Sequence, residues 1–261
     1  MNRRQFTALS SATLLPPLAA AYEPASVVDA MPGTLPLLFT VPHDGAEFLG
    51  LFPHRTQGAT VRDLGTRELA ERVAALLHQQ LGHRPYLVVA KFSRKHLDAN
   101  RSEADAMESP AMLPAYRAYH DHVAAYVAQI RKAFPSGALL IDVHGQSQEP
   151  GTTFRGTRAG LTVKRLLGRF GPAALQGPDS IFGQLAAKGY GVNPAPDAAS
   201  LREDPRFAGG YTVFTYGSHR PDGIDAIQFE FGGQHRSNPR LPEDFAAALV
   251  GFMTAFDLLP K

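Results

Sequence analysis

Two periodicities divide the chain. Short apolar runs bounded by Gly, Pro and polar residues predict strands; stretches with an apolar residue every three to four positions predict helices. The strand-like runs are residues 35–43, with Leu37-Leu38-Phe39-Thr40-Val41 at the centre, then 86–91, 138–144, 211–216 and 226–231. The helix-like stretches are residues 62–81, 114–134, 180–188 and 243–258. In the first of them Leu64, Leu69, Val73, Leu76 and Leu77 share a stripe, and Asp63 opens the helix where free backbone N–H groups meet a carboxylate. Between these elements lie a long loop at 45–60, a polar loop at 95–109, a loop with a hairpin at 148–165, and a Pro- and Gly-rich excursion at 191–210. Strands alternating with helices predict an α/β three-layer sandwich, a central and mostly parallel mixed sheet with helices on both faces. Residues 35–261 read as a single domain without internal repeats.

Composition narrows the chemistry. The 261 residues are 44% hydrophobic and 19% charged, enough for a sizeable core. There is no cysteine, which excludes disulfides, thiolate metal sites and a Cys nucleophile. Any metal therefore rests on His, Asp and Glu. Residues 1–21 read as a twin-arginine export signal: Arg3-Arg4-Gln5-Phe6, an apolar stretch from Ala8 to Leu18, and Ala19-Ala20-Ala21 as a cleavage site. The stretch is too short to span a bilayer. Residues 22–34 read as a linker. The whole chain carries a formal charge of +2, and loss of residues 1–21 removes Arg3 and Arg4 and no acid, so the remainder is near neutral. That argues against nucleic acid or anionic lipid as a partner. The expected location is the periplasm.

Two histidines close apolar runs. Leu37–Val41 runs into Pro42-His43-Asp44-Gly45, and Ala138–Ile141 runs into Asp142-Val143-His144-Gly145. The C-terminal lips of parallel strands are where open α/β sheets place ligands, so His43 and His144 predict one metal held from two strands. The third ligand is Asp63 or Glu47, with Asp63 favoured because it stands where the next helix begins. Asp142, two residues before His144 on the same strand face, could orient that imidazole. In Gln228-Phe229-Glu230-Phe231, Gln228 and Glu230 share one face and the Phe residues the other. Burial would raise the Glu230 carboxyl and suit it to proton transfer. Asn100 and Arg101 could hold a substrate carboxylate, and Arg94 and Lys95 add positive potential. No Gly-x-Ser-x-Gly elbow, phosphate loop or dinucleotide fingerprint occurs, and Ser218-His219 alone is a weak serine-hydrolase pattern.

Six segments in order resemble the N-formylglutamate amidohydrolase family. They are Val41-Pro42-His43-Asp44-Gly45; Arg62-Asp63 with Thr66 and Leu69-Ala70; the run Arg94-Lys95-His96-Leu97-Asp98-Ala99-Asn100-Arg101; Tyr119-His120; Ile141-Asp142-Val143-His144-Gly145; and Gln228-Phe229-Glu230-Phe231. The resemblance spans residues 35–231. It implies a zinc carboxypeptidase-like (phosphorylase/hydrolase-like) fold and one zinc ion between His43, Asp63 (or Glu47) and His144. It further implies Asn100 and Arg101 gripping a substrate carboxylate, Glu230 as general base, and Arg94 beside the oxyanion. The expected substrate is a small N-acyl amino acid such as N-formylglutamate, or, for an exported chain, a γ-glutamyl or cell-wall peptide amide. The chain lacks the His-x-x-Glu spacing of zinc exopeptidases, which leaves a non-catalytic periplasmic binding protein as the reading of another class.

Overall fold

The computed structural model of the protein describes residues 23–47 and 52–260, so the segment read as an export signal lies outside the described residues. One sheet contains seven strands: β1 (Val28–Met31), β2 (Leu37–Val41), β3 (Tyr86–Ala90), β4 (Leu139–Gln146), β5 (Thr152–Gly156), β6 (Gly191–Asn193) and β7 (Asp225–Gly232). Their order is β1-β3-β2-β4-β7-β5-β6. The central pairs β3-β2, β2-β4 and β4-β7 are parallel, as is β6-β5, while β1 and β5 run antiparallel to β3 and β7.

The helices are α1 (Thr66–Leu81), α2 (Glu103–Ala106), α3 (Leu113–Ala133), α4 (Lys164–Phe170), α5 (Ala173–Gln176), α6 (Ile181–Ala187), α7 (Tyr211–Tyr216), α8 (Gly233–Arg236) and α9 (Leu241–Ala255). One sheet face, with Phe39, Ile141, Phe229 and Phe231, is covered by α1, α6 and α9 through Val73, Phe182, Phe245 and Phe252. The other, with Leu38, Val88, Leu140 and Ala226, is covered by α3 and α7 through Tyr119, Val123 and Val213. The predicted three-layer α/β sandwich with a mostly parallel mixed sheet is the observed fold.

That second face changes character along the strands. Thr40, Asp142, His144, Gln228 and Glu230 follow the apolar residues at period two, so the C-terminal halves of β2, β4 and β7 present polar groups where α3 and α7 leave the sheet. The core-facing Phe229 and Phe231 lock the register of β7, because a one-residue slip would turn the Glu230 carboxylate into the apolar core.

Several elements differ from their sequence expectation. Residues 28–31, inside the expected linker, form the edge strand β1; its Pro- and Gly-rich flanks hid the pairing with β3. Residues 211–216 form a helix, not a strand. Its first N–H groups are taken by side chains, Gly210 N–H by Gln228 Oε1 (2.7 Å) and Thr212 N–H by Asn100 Oδ1 (2.7 Å), which overrides a β-favouring composition. Residues 152–156 are one strand of the main sheet, not half of a local hairpin. The helix expected from residue 62 begins at Thr66, and Asp63 does not cap it. Asp44 meets the free amide instead, with Oδ2 accepting from Arg67 N (2.8 Å) and Oδ1 from Arg62 Nε (2.7 Å).

Candidate metal centre

His43 leaves β2 by two residues, and His144 lies within the last turn of the β4 ladder. The glycines that follow them serve close packing. A Cβ at Gly45 would overlap the Lys91–Phe92 backbone, and one at Gly145 the Arg236 guanidinium. Asp63 arrives from the loop before α1, its amide donating to the His43 carbonyl (3.1 Å). These three buried side chains converge. His43 Nδ1 lies 3.0 Å from His144 Nδ1, and Asp63 Oδ2 lies 3.3 Å from each ring nitrogen.

The protons explain the convergence. His43 Nε2 donates to Asp98 Oδ1 (2.7 Å) and His144 Nε2 donates to Asp142 Oδ2 (2.8 Å). A carboxylate only accepts, so each imidazole keeps its proton on Nε2 and turns the Nδ1 lone pair toward the centre. While both imidazoles are neutral, two lone pairs and a carboxylate oxygen then face one another with no donor among them. Donors ~2.0–2.1 Å from a tetrahedral zinc ion stand roughly 3.3 Å apart, which matches the observed triangle. His43, Asp63 and His144 could hold a metal ion, and the carboxylates behind both imidazoles are the usual outer support of such ligands. Asp142 is itself fixed by Thr40 Oγ1 (2.6 Å).

Electrostatics favour positive charge at this point. Burial opposes ionisation of Asp63, but hydrogen bonds from His144 and His43 outweigh it and hold the carboxyl well below the usual range. Burial likewise opposes ionisation of Asp98, and the charge and hydrogen bond of His43, with Arg94 and Arg55, outweigh it. Burial would discharge His144, yet Asp142 and Asp63 hold its imidazole well above the ordinary value. The pocket thus stabilises a cation, whether proton or metal.

Glu230 is the register partner of His144 on the neighbouring strand. Burial pushes its carboxyl up, against the pull of His144. Gln228 Nε2 donates to its Oε1 (2.9 Å). Arg94 bridges the two acids, with Nε donating to Asp98 Oδ2 (3.2 Å) and Nη1 to Asp63 Oδ1 (3.4 Å). Arg94, Asp98, Asn100 and Gln228 also line a cavity of about 470 Å³ whose other wall is residues 205–211. Arg101 lines it too, 3.3 Å from Asp98 Oδ2. Asn100 Oδ1 is already engaged by the Thr212 N–H of α7 (2.7 Å), so only its Nδ2 group is left to a ligand.

Of the two sequence candidates for third ligand, Glu47 is elsewhere. It bridges to Phe92 beside β3, with Lys91 Nζ 3.6 Å away. Ser218 is buried against Asp225 (2.5 Å) at the opposite end of β7. Lys95 is exposed. Sequence reasoning did not single out Asp98, Arg55, Arg158 or Arg206. Asp98 sits two residues before Asn100 in a run already marked as polar, and its signal was burial among Leu97 and Ala99, both fully buried. The cavity arginines 158 and 206 come from loops whose path the sequence does not fix.

No family model and no curated protein matches the chain. Solved structures similar to it include N-formylglutamate amidohydrolase from Ralstonia eutropha JMP134, at 15% identity over 89% of this chain and 97% of that one, with a TM-score of 0.54. A gene product from Agrobacterium tumefaciens matches at 16% identity over 88% and 93%, with a TM-score of 0.54. At such identities the likeness establishes the fold.

Proposed function

We propose that the chain is a metal-dependent amidohydrolase, with zinc held by His43, Asp63 and His144 and an N-acyl amino acid such as N-formylglutamate as substrate. The observation that carries this reading is the triangle of two imidazole lone pairs and a carboxylate, backed by Asp98 and Asp142, beside a carboxyl raised by burial. The fold it shares with an N-formylglutamate amidohydrolase supports the same substrate class. A zinc ion, when bound there, lowers the pKa of a water molecule and polarises a carbonyl.

The chain's own residues do the rest. Glu230 moves the proton. Gln228 occupies Oε1 and orients the carboxyl, leaving Oε2 to take a proton from the attacking water and return it to the leaving nitrogen. A carboxyl raised toward neutrality suits both halves of that transfer. Arg94 keeps positive charge at the cavity rim, where charge develops on the amide oxygen. Arg101, assisted by Asn100, meets a substrate carboxylate. The twin-arginine-type segment at 1–21 would place the reaction in the periplasm. The cavity, about 470 Å³, falls within the span of pockets for drug-sized ligands, roughly 300–1,000 Å³, so a γ-glutamyl or peptide amide is the second reading.

The test is hydrolysis of N-formylglutamate by the purified chain. Activity should disappear with a chelator and return with zinc. Glu230→Gln should lower kcat by about 10²–10⁴-fold while metal content stays unchanged. A Glu230→Gln enzyme with undiminished kcat would remove Glu230 from the mechanism.

A further inference from the structure

Arg158 reaches the same cavity on an unusual piece of backbone. Arg158, Ala159 and Gly160 are successive left-handed residues, with φ of 49°, 54° and 90°. Only the last is a glycine, so two side-chain-bearing residues sit in a disfavoured conformation that the surroundings must enforce. Glu203 enforces it. This fully buried carboxylate accepts from Thr157 N (2.8 Å), Thr157 Oγ1 (2.5 Å) and Ala159 N (3.1 Å). It pairs with the equally buried Arg155, whose Nε lies 3.0 Å away and whose Nη1 and Nη2 donate to the Leu175 and Leu201 carbonyls. Arg158 N–H in turn donates to the Ala208 carbonyl (2.7 Å), fastening the turn to the cavity wall.

What this scaffold presents is a guanidinium with no carboxylate of its own. Arg94 and Arg101 lie on Asp98, and Arg206 lies on Asp204 and Glu149. Arg158 forms no ion pair among the described residues; its guanidinium carbon stands 4.3 Å over the Phe214 ring. The ring steadies the plane of the fork and leaves its N–H edge for a ligand.

We propose that Arg158 is a specificity-determining residue that takes a second anionic group of the substrate, so that the site prefers an amide whose amino-acid part carries two carboxylates. One carboxylate meets Arg101, from the segment after β3, and the other meets Arg158, from the turn after β5. This rests on the amidohydrolase reading and names the residue that sets its preference. The strained turn then has a purpose: it brings the exposed Arg158 to the cavity wall.

The test reads binding, separately from turnover. Glutarate and butyrate, a dicarboxylate and a monocarboxylate, are titrated calorimetrically into the zinc-supplemented full chain. The wild type should bind glutarate about tenfold more tightly than butyrate or better. Arg158→Gln should bring the ratio close to one, and Arg158→Lys should restore part of it. The proposal is overturned if Arg158→Gln keeps the wild-type ratio, or if the wild type binds neither acid or does not distinguish them. Arg158-dependent glutarate binding in a chain that does not hydrolyse N-formylglutamate would sink the amidohydrolase reading and leave Arg158's role standing.

Discussion

Each histidine of the centre commits one ring nitrogen to a carboxylate, and that commitment decides what the other can do. Asp142 holds His144 Nε2 at 2.8 Å and is held by Thr40. Replacing it with Asn keeps the shape but removes the charge that fixes the tautomer. Asp142→Asn should weaken zinc binding by about 10–100-fold, measured by competition with a chromophoric chelator, with the circular dichroism of the folded chain retained. Unchanged affinity would mean that the tautomer is set elsewhere. The polar ends of apolar runs made His43, His144 and Glu230 stand out in the sequence. The sequence favoured Asp63 over Glu47 only by its place before the next helix. The choice depends on the path of the chain after Gly45, and the structure sends Glu47 to Lys91 and Asp63 to the histidines. Asp98 was hidden for the same reason: a loop residue's burial is a tertiary fact.

At the scale of elements, α7 is the instructive case. Tyr-Thr-Val-Phe-Thr-Tyr favours a strand, yet Asn100 and Gln228 take its first amides, and an aromatic cluster seats it on α3. His120 of α3 is the hub of that cluster, 4.4 Å from Tyr116 and 6.0 Å from Tyr216 between ring centroids. Its nitrogens lie 3.0 Å from the Tyr216 hydroxyl and 3.0 Å from the Ala99 carbonyl. Burial lowers its pKa from 6.5 to about 4. The unfolded chain therefore takes up a proton near pH 6.5, and the folded chain only near pH 4. Stability from this group is complete above pH 6.5 and falls as the pH drops toward 4, by up to about 3 kcal/mol. Urea unfolding across that window should show a shallower pH slope in His120→Gln than in the wild type. Equal slopes would show that His120 does not control it. Strands β2, β3, β4 and β7 were legible because buried parallel strands are continuous apolar runs. Strand β1 was not, since four residues between Pro- and Gly-rich flanks carry too little pattern.

At the scale of the molecule, the sheet separates stability from chemistry. One face is apolar along the central strands and is covered by α1, α6 and α9. The other is apolar only toward the strand starts and turns polar toward their ends, where the acids and imidazoles gather. That division follows from period-two alternation in Leu38-Phe39-Thr40 and Ala226-Ile227-Gln228-Phe229-Glu230, which is why the fold class could be read from the chain alone. The polar lobe is assembled from loops, and its cavity could not be read that way. What is proposed for the polar lobe rests on a metal ion held by His43, Asp63 and His144. The decisive experiment is elemental analysis of the purified chain beside His144→Ala. One zinc ion per wild-type chain is expected, and its loss in the variant. A wild-type chain that holds no metal after reloading, or a variant that keeps its zinc, would contradict it.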